Sequence, residues 1–364
     1  MQYISNSVDR LKALLIAVIG TLLAFLIAIS ISSGSASPLE DPLRLNTDGS
    51  GGVQIEGSSV YYKESSSLHC VSSNGSFKWN MGVDNNARFS VSKYGVAVWS
   101  YKKFQIVDKN TGISKISTNF ESDILSAKIG DAYAAIVLGP EMNSTVVITD
   151  LQGNRVDTIT GLTELTVLDY GFFEGQNLFW LMTLDSTGSL PTCMVATYKP
   201  GRSETGNITD MEQVIYKVQF RQNHIYAVGT NYMRVYDYKG SELTDMRKTV
   251  YGYTLEAVNE NNENPMMIFV PSSDHSDANN MKDMRVIQGT KETQLHFPVS
   301  CLSIKAKGDT IYGFAKDAVC VLKAGQTVPN VYRLPVSIDG VIGVTDDLTA
   351  VATFGNSIFM FKLP

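Results

Sequence analysis

The chain has 364 residues, 44% of them hydrophobic, and a formal net charge of −6. Asp9, Arg10 and Lys12 are the only charges in the first twelve residues, so the remainder carries −7 (−6 less +1). Without a Lys/Arg cluster, that acidic balance excludes nucleic acid as the main partner, because phosphate binding needs clustered cations.

Residues 1–12 read as a short cytoplasmic tail. Ala13 to Ile31 is a run of 19 residues without a charge, with Gly20 near its middle. As a helix rising about 1.5 Å per residue it is about 28 Å long, matching the roughly 30 Å hydrocarbon core of a bilayer. Arg10 and Lys12 precede it, while Glu40 and Asp41 follow. The positive-inside rule then predicts a single-pass membrane anchor with the N-terminus cytoplasmic and the rest extracytoplasmic. The alternative is a signal peptide cleaved near Gly34-Ser35-Ala36, although the run exceeds the about 7–15 residues of a signal core. Residues 32–41 read as a tether.

From 42 to 364 the pattern is all-β and unbroken in composition, which predicts one large domain. Short apolar or alternating runs come in units of roughly 40 residues. The first unit holds Val53 to Ile55, Ser59 to Tyr62, Leu68 to Val71 and Phe77 to Trp79. A polar turn ending in glycine follows a β-run seven times, at Gly75, Gly112, Gly153, Gly201, Gly240, Gly289 and Gly325. Such a period is the mark of a β-propeller. The final unit holds Gly340 to Val344, Thr349 to Phe354 and Ser357 to Phe361. Its fourth strand is expected from Leu43 to Leu45, since closing a ring removes exposed sheet edges. Eight blades follow. Seven is the alternative if the fourth unit, or the sixth with its loops at 259–264 and 271–282, is not a blade.

Cys70, Cys193, Cys301 and Cys320 form no Cys-x-x-Cys pair, and with only four histidines a zinc site is not expected. Cysteine in a β-run reads as a small buried hydrophobe. Cys301 and Cys320 share one unit and are the pair worth testing for a bridge.

Leu68 to Trp79, with Asn74-Gly75 at its turn, resembles the repeat of quinoprotein-like propellers, Ala-Leu-Asp-x-x-x-Gly-x-x-x-Trp. Phe104 to Ile116 resembles it without the Trp. The sequence as a whole is similar to divergent quinoprotein-like and WD40-like propellers, in which a docked Trp stacks one blade on the next; Trp79 matches that position. Quinoprotein dehydrogenases add a vicinal cysteine pair and acidic metal ligands. This protein has no adjacent cysteines, so the resemblance implies the fold and not quinone chemistry. The plan of tail, single helix and propeller also resembles a family of bacterial membrane-anchored propeller proteins with no assigned activity.

Other motifs reduce to turns. Asp108 to Gly112 and Asp185 to Gly188 look like calcium-loop fragments. Counted from Asp108, however, the sixth and twelfth positions hold Ile113 and Asn119 where such a loop needs Gly and Glu. Asp274, His275 and Asp277 could hold a divalent cation through oxygens and one imidazole; a polar surface loop is the plainer reading. No Gly-x-Ser-x-Gly, His-Glu-x-x-His or phosphate loop occurs. The sequence therefore assigns no catalytic, metal-ligating or cofactor-binding residue, and no cofactor is expected. It predicts an extracytoplasmic propeller that binds a protein or cell-envelope partner or acts as a scaffold. The competing reading is a hydrolase or lyase using carboxylates at the channel mouth. Shifted carboxylates converging on one face would favour the enzyme; an exposed aromatic or apolar face would favour the binding module.

Overall fold

Strands such as Gly95–Ser100 and Tyr133–Leu138 are apolar or small at nearly every position, and buried so. A strand of that kind needs cover on both faces. The fold provides it by stacking sheets side by side in a ring. This is a computed structural model that describes residues 39 and 41–364, other than 174, 176, 222, 238, 260–263 and 273–280. The span marked by Ala13, Gly20 and Ile31, most of the tether, and Asp274, His275 and Asp277 lie outside the described residues. Among those described, no helix is long and apolar enough to cross a membrane.

Eight four-stranded antiparallel sheets follow one another in sequence. Blade 1 comprises Val53–Glu56, Ser59–Glu64, Ser67–Ser72 and Phe77–Gly82; blade 2 comprises Arg88–Ser92, Gly95–Ser100, Lys103–Val107 and Ser114–Asn119. Blades 3 to 7 begin at Ile124, Leu165, Ile215, Tyr253 and Ser303. The fourth and sixth units are complete blades, which settles the count at eight. Blade 8 takes Gly340–Val344, Thr349–Phe354 and Ser357–Lys362, and its outer strand is Leu43–Leu45 from the other end of the domain. Leu43 faces Met360, Arg44 faces Phe359 and Leu45 faces Ile358, so the expected closing strand is the one used.

The core is divided in the same way. Eight apolar clusters lie one at each blade junction, from Tyr61, Trp79 and Val98 between blades 1 and 2 to Leu45, Val60 and Met360 between blades 8 and 1. The first strand of each blade lies innermost, and the first strands of blades 8 and 1 meet to complete the ring. Polar side chains tie these inner strands together. Gln54 donates to Phe89 O and accepts from Val91 N, at 2.9 and 2.8 Å. Tyr216 Oη accepts from Leu255 N, and Glu256 accepts from Ile304 N.

All seven glycines of the repeated turn have positive φ, which explains their recurrence: the turn needs a conformation that other residues rarely adopt. Gly112 shows a second reason. A Cβ there would lie 2.6 Å from the Trp79 ring of the preceding blade. Trp79 is buried and its Nε1 donates to Lys109 O at 2.8 Å, which is the blade-docking role expected for it. At the closure Leu43 takes the same place against Gly75. The four cysteines are buried free thiols. Cys301 and Cys320 share the cluster between blades 6 and 7 and interact directly, Cys301 being held strongly in its protonated form by the Cys320 sulfur and by burial.

Candidate interaction surface

A propeller presents two faces. Turns joining strands 1–2 and 3–4 of each blade open on one; turns joining strands 2–3, and the loops from blade to blade, open on the other. The two faces differ in chemistry.

The first face is built from carboxylate-capped turns. Asp108 Oδ1 accepts from Asn110 N and Thr111 N, Asp150 Oδ1 from Gln152 N and Asn154 N, and Asp237 Oδ1 from Lys239 N and Ser241 N, all at 2.8–3.1 Å. Such bonds favour the anion. The Lys115 ammonium and these backbone donors pull Asp108 down to about 2, and Asn154 lowers Asp150. Burial pushes Asp347 up, but hydrogen bonds from Ser73 and Thr345 outweigh it and leave it lowered. On the same face a cavity of about 500 Å³ opens at the channel mouth between Gln54, Glu56, Lys307, Ile342 and Asp346. Glu56 and Asp346 are the carboxylates that an enzyme would need there. Lys307 Nζ already pairs with Asp346 at 2.5 Å. Every described carboxylate with a displaced pKa is displaced downward, whereas a general acid at neutral pH needs the opposite shift. Asp185, the other calcium-like fragment, lies on the second face, where it accepts from Thr187 N and Oγ1 as an ordinary turn cap.

The second face carries the apolar side chains. Tyr101, Met142, Leu190, Met211, Tyr251 and Phe354 stand on its turns and loops, 42–65% exposed. Four of them come from blades 2, 3 and 4 and the loop into blade 5. The first face carries four of the described large exposed hydrophobics at its turns, Phe77, Tyr94, Ile113 and Val328. Leu168 and Tyr216, at register shifts in the inner strands of blades 4 and 5, add apolar surface near the axis.

Two of these side chains, Met211 and Met142, are held on braced loops. Met211 follows Asp210, which is 1% exposed. Asp210 accepts from Glu212 N and Gln213 Nε2, while Gln213 Oε1 accepts from Asn231 N and Tyr232 N. Arg234 lies 3.6 Å from Asp210 and also pairs with Glu212. Met142 sits on a single 3₁₀ turn, Glu141–Asn143, whose end is tied by Ser144 Oγ to Pro140 O and Glu141 O. Large apolar groups on loops that lose little freedom on contact suit recognition of another macromolecule. None of them stands out in the sequence. The available signal is a lone apolar residue inside a polar turn, as in Glu141-Met142-Asn143 or Asp210-Met211-Glu212.

No protein-family model matches this protein, and no curated protein does either. Solved structures match in shape. BamB from Moraxella catarrhalis is 10% identical, with 89% of this chain and 99% of that one covered and a TM-score of 0.56. Sqt1 from Saccharomyces cerevisiae is also 10% identical, with 90% and 100% covered and a TM-score of 0.61. At that identity the shared property is the fold. The class that the structure defines is an eight-bladed β-propeller, the fold it shares with these structures.

Proposed function

We propose that this protein is a protein-binding propeller, anchored by residues 13–31 and displayed outside the cytoplasm, that engages its partner through the face bearing Tyr101, Met142, Leu190, Met211 and Tyr251. The observation that carries the reading is the asymmetry of the two faces. One carries most of the stabilised anionic turn caps, Asp108, Asp150 and Asp347 among them. The other offers aromatic, Leu and Met side chains, the two Met on braced loops, with polar groups between them, the composition of an interface centre and its rim. The address rests on the uncharged 13–31 run and the charges that flank it.

Cross-linking in intact cells followed by capture of the full-length protein tests the interface. The wild type should recover a defined protein that the Leu190→Asp/Met211→Asp variant, purified at equal yield, does not. Equal recovery by both overturns the assignment of the face. For the address, added protease should digest the propeller of intact cells while a tag on Met1 stays protected. A soluble form beginning near Ser37 would replace the anchor with a cleaved signal.

A further inference from the structure

One cleft on the apolar face is chemically unlike its surroundings. It lies between blades 2 and 3, has a volume of about 240 Å³, and is lined by Asn86, Arg88, Trp99, Tyr101, Asp123 and Leu125 among others. That volume falls below the roughly 300–1,000 Å³ of cofactor and drug-sized sites; it suits one side chain or one polypeptide end.

Two features of the lining are unfinished. The Arg88 side chain is exposed and has no hydrogen-bond or ion-pair partner among the described residues. Trp99 is 7% exposed, and its Nε1–H is one of four buried side-chain polar atoms, among those described, without a partner. A buried donor left unmatched costs about 1–3 kcal/mol, and what it lacks is an acceptor. Tyr101, at φ +49° in the two-residue hairpin between Ser100 and Lys103, takes a hydrogen bond on its hydroxyl from Asn86 Nδ2 at the rim. An unpaired guanidinium beside an indole on one cleft asks for a carboxylate. Asp123, whose side chain also has no partner among the described residues, lines the same cleft. It would repel a bare inorganic anion but accept from a peptide N–H beside the carboxylate.

We propose that this cleft receives a carboxylate of the partner polypeptide, with Arg88 paired to it, the Trp99 ring as its apolar wall and Asp123 accepting from the adjoining peptide N–H. The proposal rests on the reading that this face binds protein. The carboxylate can belong to a Glu or Asp side chain or to the partner's own C-terminus, and the probes separate the two.

The full-length protein, labelled with ¹⁵N at the tryptophan indoles and held in detergent, has three indole signals to follow; Trp99→Phe identifies the one that belongs to Trp99. Three peptides are titrated: acetyl-Leu-Glu-Leu-amide, acetyl-Leu-Gln-Leu-amide, and acetyl-Leu-Leu-Ala with a free C-terminal acid. At least one acidic peptide should move the Trp99 signal and leave that of Trp180 in place, and the Gln peptide should not. Whichever acid is effective names the source. Arg88→Gln should weaken that peptide by about tenfold, the loss expected for a charge-assisted bidentate contact. The proposal is overturned if neither acidic peptide moves Trp99, if the Gln peptide does so equally, or if Arg88→Gln binds like the parent. If the peptides fail while Leu190→Asp/Met211→Asp still abolishes partner capture, the cleft assignment falls and the docking face stands.

Discussion

Ring closure by Leu43–Leu45 makes a quantitative prediction. Leu45 is 5% exposed and packs with Val60, Tyr62, Val351, Ile358 and Met360 at the junction of blades 8 and 1. Leu45→Ala should cost about 2–5 kcal/mol, the usual range for truncating a buried leucine. Unfolding entropy of about 2.1 cal/mol/K per residue over roughly 330 residues is about 0.7 kcal/mol/K, so the melting temperature should fall by about 3–7 °C. Leu43, on the same strand but 41% exposed, is the control. Leu43→Ala should cost clearly less, because only its contact at Gly75 is lost. Deleting Pro42 to Asn46 should cost more than either, since it removes the ladder to Ser357–Lys362 and leaves an open edge. Circular dichroism melts of the four proteins make the comparison. A Leu45→Ala variant that melts with the parent, or a Leu43→Ala variant that melts below the Leu45→Ala variant, would refute the closure argument.

Three further outcomes follow. Trp79→Ala should destabilise by about 3–5 kcal/mol, and Gly112→Val should be comparably damaging because its Cβ meets the same ring at 2.6 Å with φ at +71°; denaturant titration with both midpoints unchanged would contradict blade docking. Asp108 is depressed from 3.8 to about 2, first by the Lys115 hydrogen bond. A carboxylate with a depressed folded pKa stabilises above its unfolded value and loses that contribution as the pH falls toward the folded value. Stability should therefore drop between about pH 4 and pH 2, and Asp108→Asn should flatten that part of the profile; an unaltered profile would remove the turn from the account. Mild oxidation by a disulfide reagent should join Cys301 to Cys320, read by peptide mapping as the loss of two hydrogens. Joining of Cys70 or Cys193 instead would contradict the arrangement.

Much of this architecture is legible in the sequence because hairpin turns demand a particular residue. Each of the seven glycines that mark the period sits at positive φ, so the period survives even where strand sequences diverge. Closure is legible because an exposed edge must be covered. The outer strands of blades 5 and 7 are not: Lys248–Thr249 has two residues and Asn330–Arg333 is mostly exposed, so neither carries an apolar pattern. The binding face is illegible for a related reason. Leu162 and Leu190 both stand in loops, yet the first is 5% and the second 60% exposed. What separates them is whether a neighbouring blade covers the position, which depends on contacts distant in sequence. Trp99 reads as a core residue, and only its missing partner marks it out.

A photo-reactive amino acid placed at single positions tests the proposed interface most directly. It should be inserted at Met211 and Leu190 on one face and at Ile113 and Val328 on the other, and the full-length protein irradiated in intact cells. All four side chains are at least 60% exposed, so reactivity alone does not favour either face. The account predicts one discrete protein adduct from Met211 and Leu190 and none from Ile113 or Val328. The same adduct from Ile113 or Val328, with none from Met211 and Leu190, would contradict it.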